Sequence, residues 1–163
     1  MTMQRSEDTN LTRDAVRIDL TERIESLKAG ILGAVAAALA FGLIVLGNDR
    51  ILASQLPDIT GLPTAQNVVS LVISGAIAKL SGFLFGVTYR YIIRQDKNAH
   101  LKSGAVLAFG LVRGLAQVDI AHPQTAWLPL VLMIGESILL FTIVRLILDW
   151  ALGQKWVKPF QSL

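Results

Sequence analysis

Residues 29–46 read AGILGAVAAALAFGLIVL and contain no charged side chain. A helix of about 20 apolar residues spans the ~30 Å hydrocarbon core of a bilayer, so this stretch predicts a membrane-spanning helix. Three further segments have the same character, namely residues 68–89, 101–118 and 127–148, of which 101–118 has the shortest uninterrupted apolar run. We therefore expect an all-α integral membrane protein built as a four-helix bundle.

The overall composition agrees with this class. The 163 residues are 53% hydrophobic and 17% charged, with a mean hydropathy of +0.55, whereas a soluble domain carries about 25% charged residues. Eleven of the 27 charged residues lie within residues 1–28. This distribution argues against a soluble globular domain and against disorder. The net charge of +3 is small, so we expect no nucleic acid partner.

Basic residues predict the orientation in the membrane. The segment 1–28 holds five Lys or Arg, the connection 90–102 holds four and the tail holds two, whereas the other two connections together hold one. Because inner loops are enriched in Lys and Arg, both termini are expected on the cytoplasmic side, or on the stromal side of an internal membrane. We divide the chain into a polar N-terminal segment 1–28 with an interfacial, amphipathic helix, a four-helix transmembrane domain 29–150 and a short inner tail 151–163.

The end of the N-terminal segment also predicts a helix. Asp19 and Glu22 have the spacing of a capping box, and Leu20, Ile24 and Leu27 recur at helical intervals. Two interpretations fit: an amphipathic helix lying in the interface, or a solvated extension of the first membrane helix. A cleaved signal peptide is disfavoured, because 28 residues with six acids precede an apolar run longer than the usual ~7–15 residues.

Small residues recur every four positions on two predicted helices, and the third predicted helix contains a GxxxG motif. Such ridges allow the close backbone approach on which helix association in lipid depends. We interpret them as packing positions within the bundle, with docking onto another membrane protein or a homo-oligomer as the alternative. The predicted packing residues are Gly30, Ala34, Ala38 and Gly42, then Ser74, Ala78, Gly82 and Gly86, then Gly110 and Gly114.

Three ionisable residues fall at membrane depth: Lys79, Arg113 and Glu136. Charges there are costly and are usually paired or face water. Lys79 and Glu136 lie about 17 Å and 14 Å from the outer ends of their helices, so we expect them to meet, with Arg113 in reach. They form either a buried ion pair or triad that sets helix register, or a polar path in a small oligomeric transporter or channel. We favour the structural interpretation, because no second buried acid could relay a proton.

Basic residues also surround the connection between the second and third helices. They are Arg90, Arg94, Lys97 and Lys102. This cluster suits anionic lipid headgroups or an acidic face of a partner, although the ordinary positive-inside signal explains it as well. Near the end of the fourth helix, Arg145 is expected to pair with Asp149 four residues on, or to extend to lipid phosphate.

Enzyme signatures are absent from the sequence. It contains no P-loop, no HExxH and no GxSxG motif. It has no Cys, and its two His residues, His100 and His122, are expected on opposite sides of the membrane. We therefore expect no catalytic residue, no metal and no cofactor.

Residues 80–118, LSGFLFGVTYRYIIRQDKNAHLKSGAVLAFGLVRGLAQV, resemble uncharacterised four-pass membrane proteins of cyanobacteria and plastids. The resemblance covers the second and third helices and their connection, about a quarter of the chain. It implies a thylakoid or plasma membrane setting and a role beside large pigment or electron-transport complexes, and it carries over no catalytic residue. The function expected is that of a non-catalytic accessory, assembly or stabilising factor.

Overall fold

The computed structural model describes the backbone of residues 2–52, 68–93, 99–120, 127–154 and 156, and the side chains of residues 20–50, 68–93, 99–119, 127–154 and 156. This part of the chain is helical and contains no strand. Its helices are α1 (Thr2–Gly47), α2 (Val68–Ile92), α3 (Ala99–Ile120) and α4 (Trp127–Gly153), and a π-helical segment, Asn48–Leu52, follows α1. The expected all-α four-helix class is confirmed.

Each helix contains a segment long and apolar enough to cross a membrane. These segments are Leu20–Arg50, Val68–Ile92, Ala99–Asp119 and Trp127–Gly153. Pro129 is tolerated in α4 because it lies in the first turn, where backbone amides have no intrahelical partner. At the other end, the Trp156 amide donates to the Ala151 carbonyl at 3.0 Å, which satisfies one of the carbonyls that a helix end leaves free. The four spans expected from hydropathy are all present.

α1 runs without a break through Asp19 and Glu22, so the N-terminal segment and the first candidate span form one continuous helix. Large apolar side chains are exposed along one stripe of α1 at intervals of three or four residues. The stripe consists of Leu20, Ile24, Leu27, Ile31, Val35, Leu39, Leu43 and Leu46. The stripe continues across residue 28, the expected boundary between the polar N-terminal segment and the transmembrane domain, because α1 is one continuous helix there.

The four helices form two antiparallel pairs. α1 packs most extensively on α2, and α3 on α4, while contact between α1 and α4 joins the pairs. α2 touches α3 and α4 only sparsely. We call the end of the bundle that carries Glu22, Arg90, Lys102 and Asp149 the terminal face. The end at which α2 and α4 begin and α3 ends is the opposite face.

Small residues let α1 and α2 approach closely. A methyl group added at Gly86 would overlap the carbonyl oxygen of Ala29, and one added at Gly82 would overlap the methyl group of Ala37. A methyl group at Gly33 would likewise overlap the Gly82 carbonyl oxygen. The two backbones therefore cross in direct contact, as small-residue ridges allow in membranes.

Gly110 and Gly114 have the same effect between α3 and α4. A Cβ built on Gly110 would lie 2.9 Å from the Cα of Ile138, and one built on Gly114 would lie 2.7 Å from the Cα of Ile134. On α2, Ala78 is fully buried and Ser74 half-buried. These expected packing residues thus lie on the inward sides of their helices.

The packing face of α1 is rotated from the ridge expected for it. The buried small residues between positions 29 and 42 are Ala29, Gly30, Gly33, Ala36, Ala37 and Ala40. Of the expected ridge, Gly30 packs on Phe83, Ala34 and Ala38 are half-buried, and Gly42 is exposed with nothing within 4 Å of an added Cβ. A four-residue step turns about 40° further than one helical turn, so Gly42 has rotated about 120° from Gly30. The expectation was therefore wrong for Gly42.

Aromatic rings pack against one another between α2, α3 and α4. Phe85 stacks on Tyr89 with ring centroids 5.2 Å apart and meets Phe109 edge-on at 5.3 Å. Phe141 lies 5.2 Å from Phe85 and 5.6 Å from Phe109. Aromatic pairs at such distances add roughly 0.5–1.5 kcal/mol beyond simple burial. This cluster joins the pair α1–α2 to the pair α3–α4.

Candidate functional site

Glu136 of α4 belongs to a polar cluster between α1, α3 and α4. Its carboxylate accepts a hydrogen bond from the Asn48 side chain and attracts the Arg113 guanidinium. Beside it, the Ser137 hydroxyl donates to Gln117 Oε1 at 2.8 Å. Asn48 and Ser137 are 4% and 2% exposed, whereas both charged groups are half-buried. The structure therefore brings together two of the three charged residues that were expected to meet at membrane depth.

The cavity that Glu136 lines is small. Its volume is about 10 Å³, and its apolar walls are Phe41, Ile44 and Leu140. A cavity needs about 10–15 Å³ to hold one water molecule. Glu136 is also the one acidic side chain in the middle of the described spans. The cluster is therefore a polar contact between helices beside room for about one water, an arrangement suited to holding helices in position.

Lys79 does not join this cluster, which corrects the expected triad. Its side chain is exposed on α2, and α2 has few contacts with α4, the helix that carries Glu136. It lies eleven residues, about 17 Å, from the start of α2. Helical rise predicts the depth of a residue but not the direction of its side chain. Lys79 thus lies near the centre of a span, and its charged side chain faces away from the bundle.

Arg90 lies inside the bundle rather than at the lipid or partner surface expected for it. It is 1% exposed. Its Nη1 donates to Ser26 Oγ at 2.7 Å and to the Glu22 carbonyl oxygen at 3.1 Å, while Nη2 pairs with the Glu22 carboxylate. Ser26 Oγ also lies 3.2 Å from the hydroxyl of Tyr91. The buried guanidinium is therefore hydrogen-bonded through both of its terminal nitrogens. These bonds hold α1 against α2 at the terminal face.

Asp149 joins three helices at the same terminal face. Its Oδ1 accepts hydrogen bonds from the Tyr89 hydroxyl at 2.9 Å and from Lys102 Nζ at 3.0 Å. Arg145 Nε lies 3.6 Å from Asp149 Oδ2, so the pair expected at a four-residue interval is confirmed. Arg145 Nη1 also donates to Ser103 Oγ at 3.2 Å. One carboxylate therefore connects α2, α3 and α4.

The basic residues of the second connection bind within the chain wherever the structure describes them. Arg90 and Lys102 both pair with carboxylates of this protein, and Arg94 and Lys97 lie outside the described residues. The partners of Arg90 and Lys102 are 68 and 47 residues distant in sequence. Sequence reasoning missed both pairs. The sequence does place the members of both pairs, Arg90 with Glu22 and Lys102 with Asp149, at the same expected end of the bundle, and this could have indicated the pairing.

Within the described ranges, no group of three metal-ligating side chains could hold a metal ion. Comparisons with protein-family models, with curated proteins and with solved structures find no match to this chain. The polar clusters and the exposed Lys79 are therefore the features from which a function can be inferred.

Proposed function

We propose that this protein is a non-catalytic accessory factor that assembles with or stabilises another integral membrane protein. The observation that carries this proposal is the exposed Lys79 near the centre of α2. A charged side chain at the centre of a span costs about 2.5–3.5 kcal/mol when lipid surrounds it. An acidic side chain on a neighbouring helix would offset this cost by pairing with the ammonium group. A partner helix on this face of α2 therefore accounts for the position of Lys79, whereas lipid does not.

The carboxylate that pairs with Lys79 comes, in this proposal, from a different protein. The acidic residue in the middle of the described spans is Glu136, and it interacts with Asn48 and Arg113 inside the bundle. Within the described spans, a second copy of the chain would present no further carboxylate at this depth. A two-fold contact through α2 would also bring two Lys79 side chains together, because such an interface uses the same surface on both copies.

A small transporter or channel is the second candidate, and the geometry favours it less. Lys79 faces away from Glu136, so the three charges that were expected to line one path are divided between the outside and the inside of the bundle. The cavity beside Glu136 has a volume of about 10 Å³, which is room for about one water. A path through one copy of the chain would need a longer chain of waters.

The setting we propose is a photosynthetic membrane, either thylakoid or plasma membrane, with both termini on the cytoplasmic or stromal side. The resemblance of residues 80–118 to four-pass proteins of cyanobacteria and plastids supports the setting. The excess of Lys and Arg in residues 1–28 and in the connection 90–102 supports the orientation. The partner would then be a subunit of a large pigment or electron-transport complex.

Substitution of Lys79 tests the proposal. Tagged wild-type protein and the variants Lys79→Arg and Lys79→Met are purified from the native membrane in mild detergent, and their assembly size is measured by native electrophoresis. Wild type and Lys79→Arg should migrate with a larger complex, because both keep the cation. Lys79→Met should run as the free protein with an unchanged melting temperature, because Lys79 lies outside the bundle.

Two results would contradict the accessory role. One is recovery of the wild-type protein alone under conditions that leave neighbouring complexes intact. The other is a Lys79→Met variant that remains in the complex as fully as Lys79→Arg does.

A further inference from the structure

A groove runs between α2 and α3 and opens to the side of the bundle. Its volume is about 490 Å³, within the ~300–1,000 Å³ typical of small-molecule sites. It exists because α2 and α3 belong to different antiparallel pairs and touch only sparsely. Phe141 of α4 closes its inner side. Ile73, Ile77 and Val112 on its walls are more than half exposed, so the groove faces the surrounding membrane.

The groove is elongated. Along α2 it extends from Ile73 to Leu84, eleven residues or about 16 Å. An apolar groove of this length and volume accommodates a hydrocarbon chain.

Polar side chains line the part of the groove nearer the opposite face. Gln117 and Arg113 of α3 lie three and seven residues from the end of that helix, which corresponds to depths of about 4.5 and 10 Å. Ser74 is the corresponding polar residue on α2. The deep end is lined by Leu84, Phe109 and the small polar residue Ser81. The one charged side chain that lines the groove, Arg113, thus lies in its shallow part, so a lipid whose headgroup oxygens lie there would extend its hydrocarbon chain toward the centre of the membrane.

We propose that this groove binds one hydrocarbon chain of a phospholipid from the leaflet at the opposite face. The ester or phosphate oxygens of the lipid would accept hydrogen bonds from Arg113 and Gln117. A guanidinium has five N–H donors, so Arg113 can attract Glu136 and bind a lipid oxygen at the same time. Bound lipid would also fill the space that the sparse α2–α3 contact leaves open.

This lipid site is separate from the surface proposed for the partner protein. Ile77 lies in the groove, and Lys79 lies two residues further along α2, which places their side chains about 160° apart around the helix axis. A failure of lipid binding would therefore leave the accessory role intact, and the reverse also holds.

Photolabelling of the purified protein tests the lipid site. The protein is reconstituted into phosphatidylcholine vesicles that contain a phosphatidylcholine with a diazirine at mid-chain, and labelled peptides are mapped after irradiation. We expect the label to concentrate on residues 73–84 and 109–117. Ile77→Trp should reduce labelling of these peptides about tenfold, because the indole occupies the apolar space of the chain. A diazirine alkane without a headgroup should label them more weakly than the phospholipid.

Val72→Trp is the matched control. Val72 is an exposed apolar residue of α2, like Ile77, but it does not line the groove. It should retain wild-type labelling, and both variants should keep the wild-type melting temperature. The proposal is overturned if labelling is spread evenly around the bundle, if Ile77→Trp labels as wild type does, or if the alkane labels as strongly as the phospholipid. Loss of partner assembly in Ile77→Trp with unchanged labelling would assign the groove to a protein partner instead.

Discussion

At the scale of single residues, the membrane-embedded charges are divided into one internal pair and one outward cation. Arg113 and Glu136 attract each other inside the bundle, whereas Lys79 faces outward. Removing one member of an internal pair leaves the other charge without compensation, which costs more than the pair contributes. The residue that compensates Glu136 can therefore be identified by comparing the free energies of unfolding of suitable variants.

We predict that Glu136→Ala lowers the free energy of unfolding by about 3 kcal/mol, because it leaves Arg113 uncompensated. The double variant Arg113→Met with Glu136→Leu should recover most of this loss. Lys79→Met with Glu136→Leu should recover none of it. Unfolding in mixed micelles with increasing sodium dodecyl sulfate, followed by helical circular dichroism, gives the three values. Equal recovery in the two double variants would place Lys79 inside the cluster after all.

Arg90 offers a second prediction at this scale. It bonds to Ser26 and Glu22 through both terminal nitrogens of its planar group, a geometry that an ammonium cannot reproduce. Arg90→Lys should therefore lower the free energy of unfolding by about 1.5–3 kcal/mol, the range for hydrogen bonds to charged groups. The exposed Arg23 provides the control, and Arg23→Lys should change stability by less than about 0.5 kcal/mol. Similar effects of the two substitutions would contradict the buried position of Arg90.

At the scale of helices, the close crossing of α1 and α2 organises the bundle. The crossing depends on glycines at which a methyl group has no room, and the expected ridge on α1 included a glycine, Gly42, at which it has room. Depth and small size alone therefore do not identify a packing residue. The rotation of the helix about its own axis decides which small residues make contact.

We predict opposite outcomes for two glycine-to-alanine substitutions. Gly86→Ala should lower the free energy of unfolding by about 1–3 kcal/mol, because the added methyl group overlaps the Ala29 carbonyl and forces the helices apart. Gly42→Ala meets nothing within 4 Å, and it should be neutral or stabilising by up to ~1 kcal/mol through helix propensity. The same denaturation experiment measures both. A neutral Gly86→Ala would show that the α1–α2 crossing is looser than described.

At the scale of the whole molecule, the antiparallel helices bring the Leu20 end of the first candidate span and the end of α4 to the same terminal face of the bundle. The distribution of Lys and Arg predicts that this is the inner side. The chain contains no Cys, so a single introduced cysteine is an unambiguous reporter of sidedness.

We predict that Asp119→Cys, at the opposite face, reacts with a membrane-impermeant maleimide added to intact cells. Gln154→Cys, at the end of α4 and exposed, should react only after the membrane is permeabilised. Mass shift on denaturing gels gives the extent of labelling. Reaction of Gln154→Cys but not of Asp119→Cys in intact cells would show the opposite orientation. Reaction of both in intact cells would contradict four crossings, because α4 separates the two positions.

By itself, the sequence determines the class of protein and the position of the spans. Crossing the hydrocarbon core requires about 20 successive apolar residues, which is a local property that can be read along the chain. The Arg145–Asp149 pair is local in the same sense, because four residues bring two side chains together on any helix. Depth within the membrane is local too, since it follows from helical rise.

Only the tertiary structure decides how the helices are rotated and which distant side chains meet. It places Lys79 outside, Arg90 inside against Glu22, and Asp149 between α2 and α3. These outcomes depend on axial rotation, which is set by the packing of whole helix surfaces and not by any one residue. The groove between α2 and α3 arises in the same way, because it is a space that two helices leave between them.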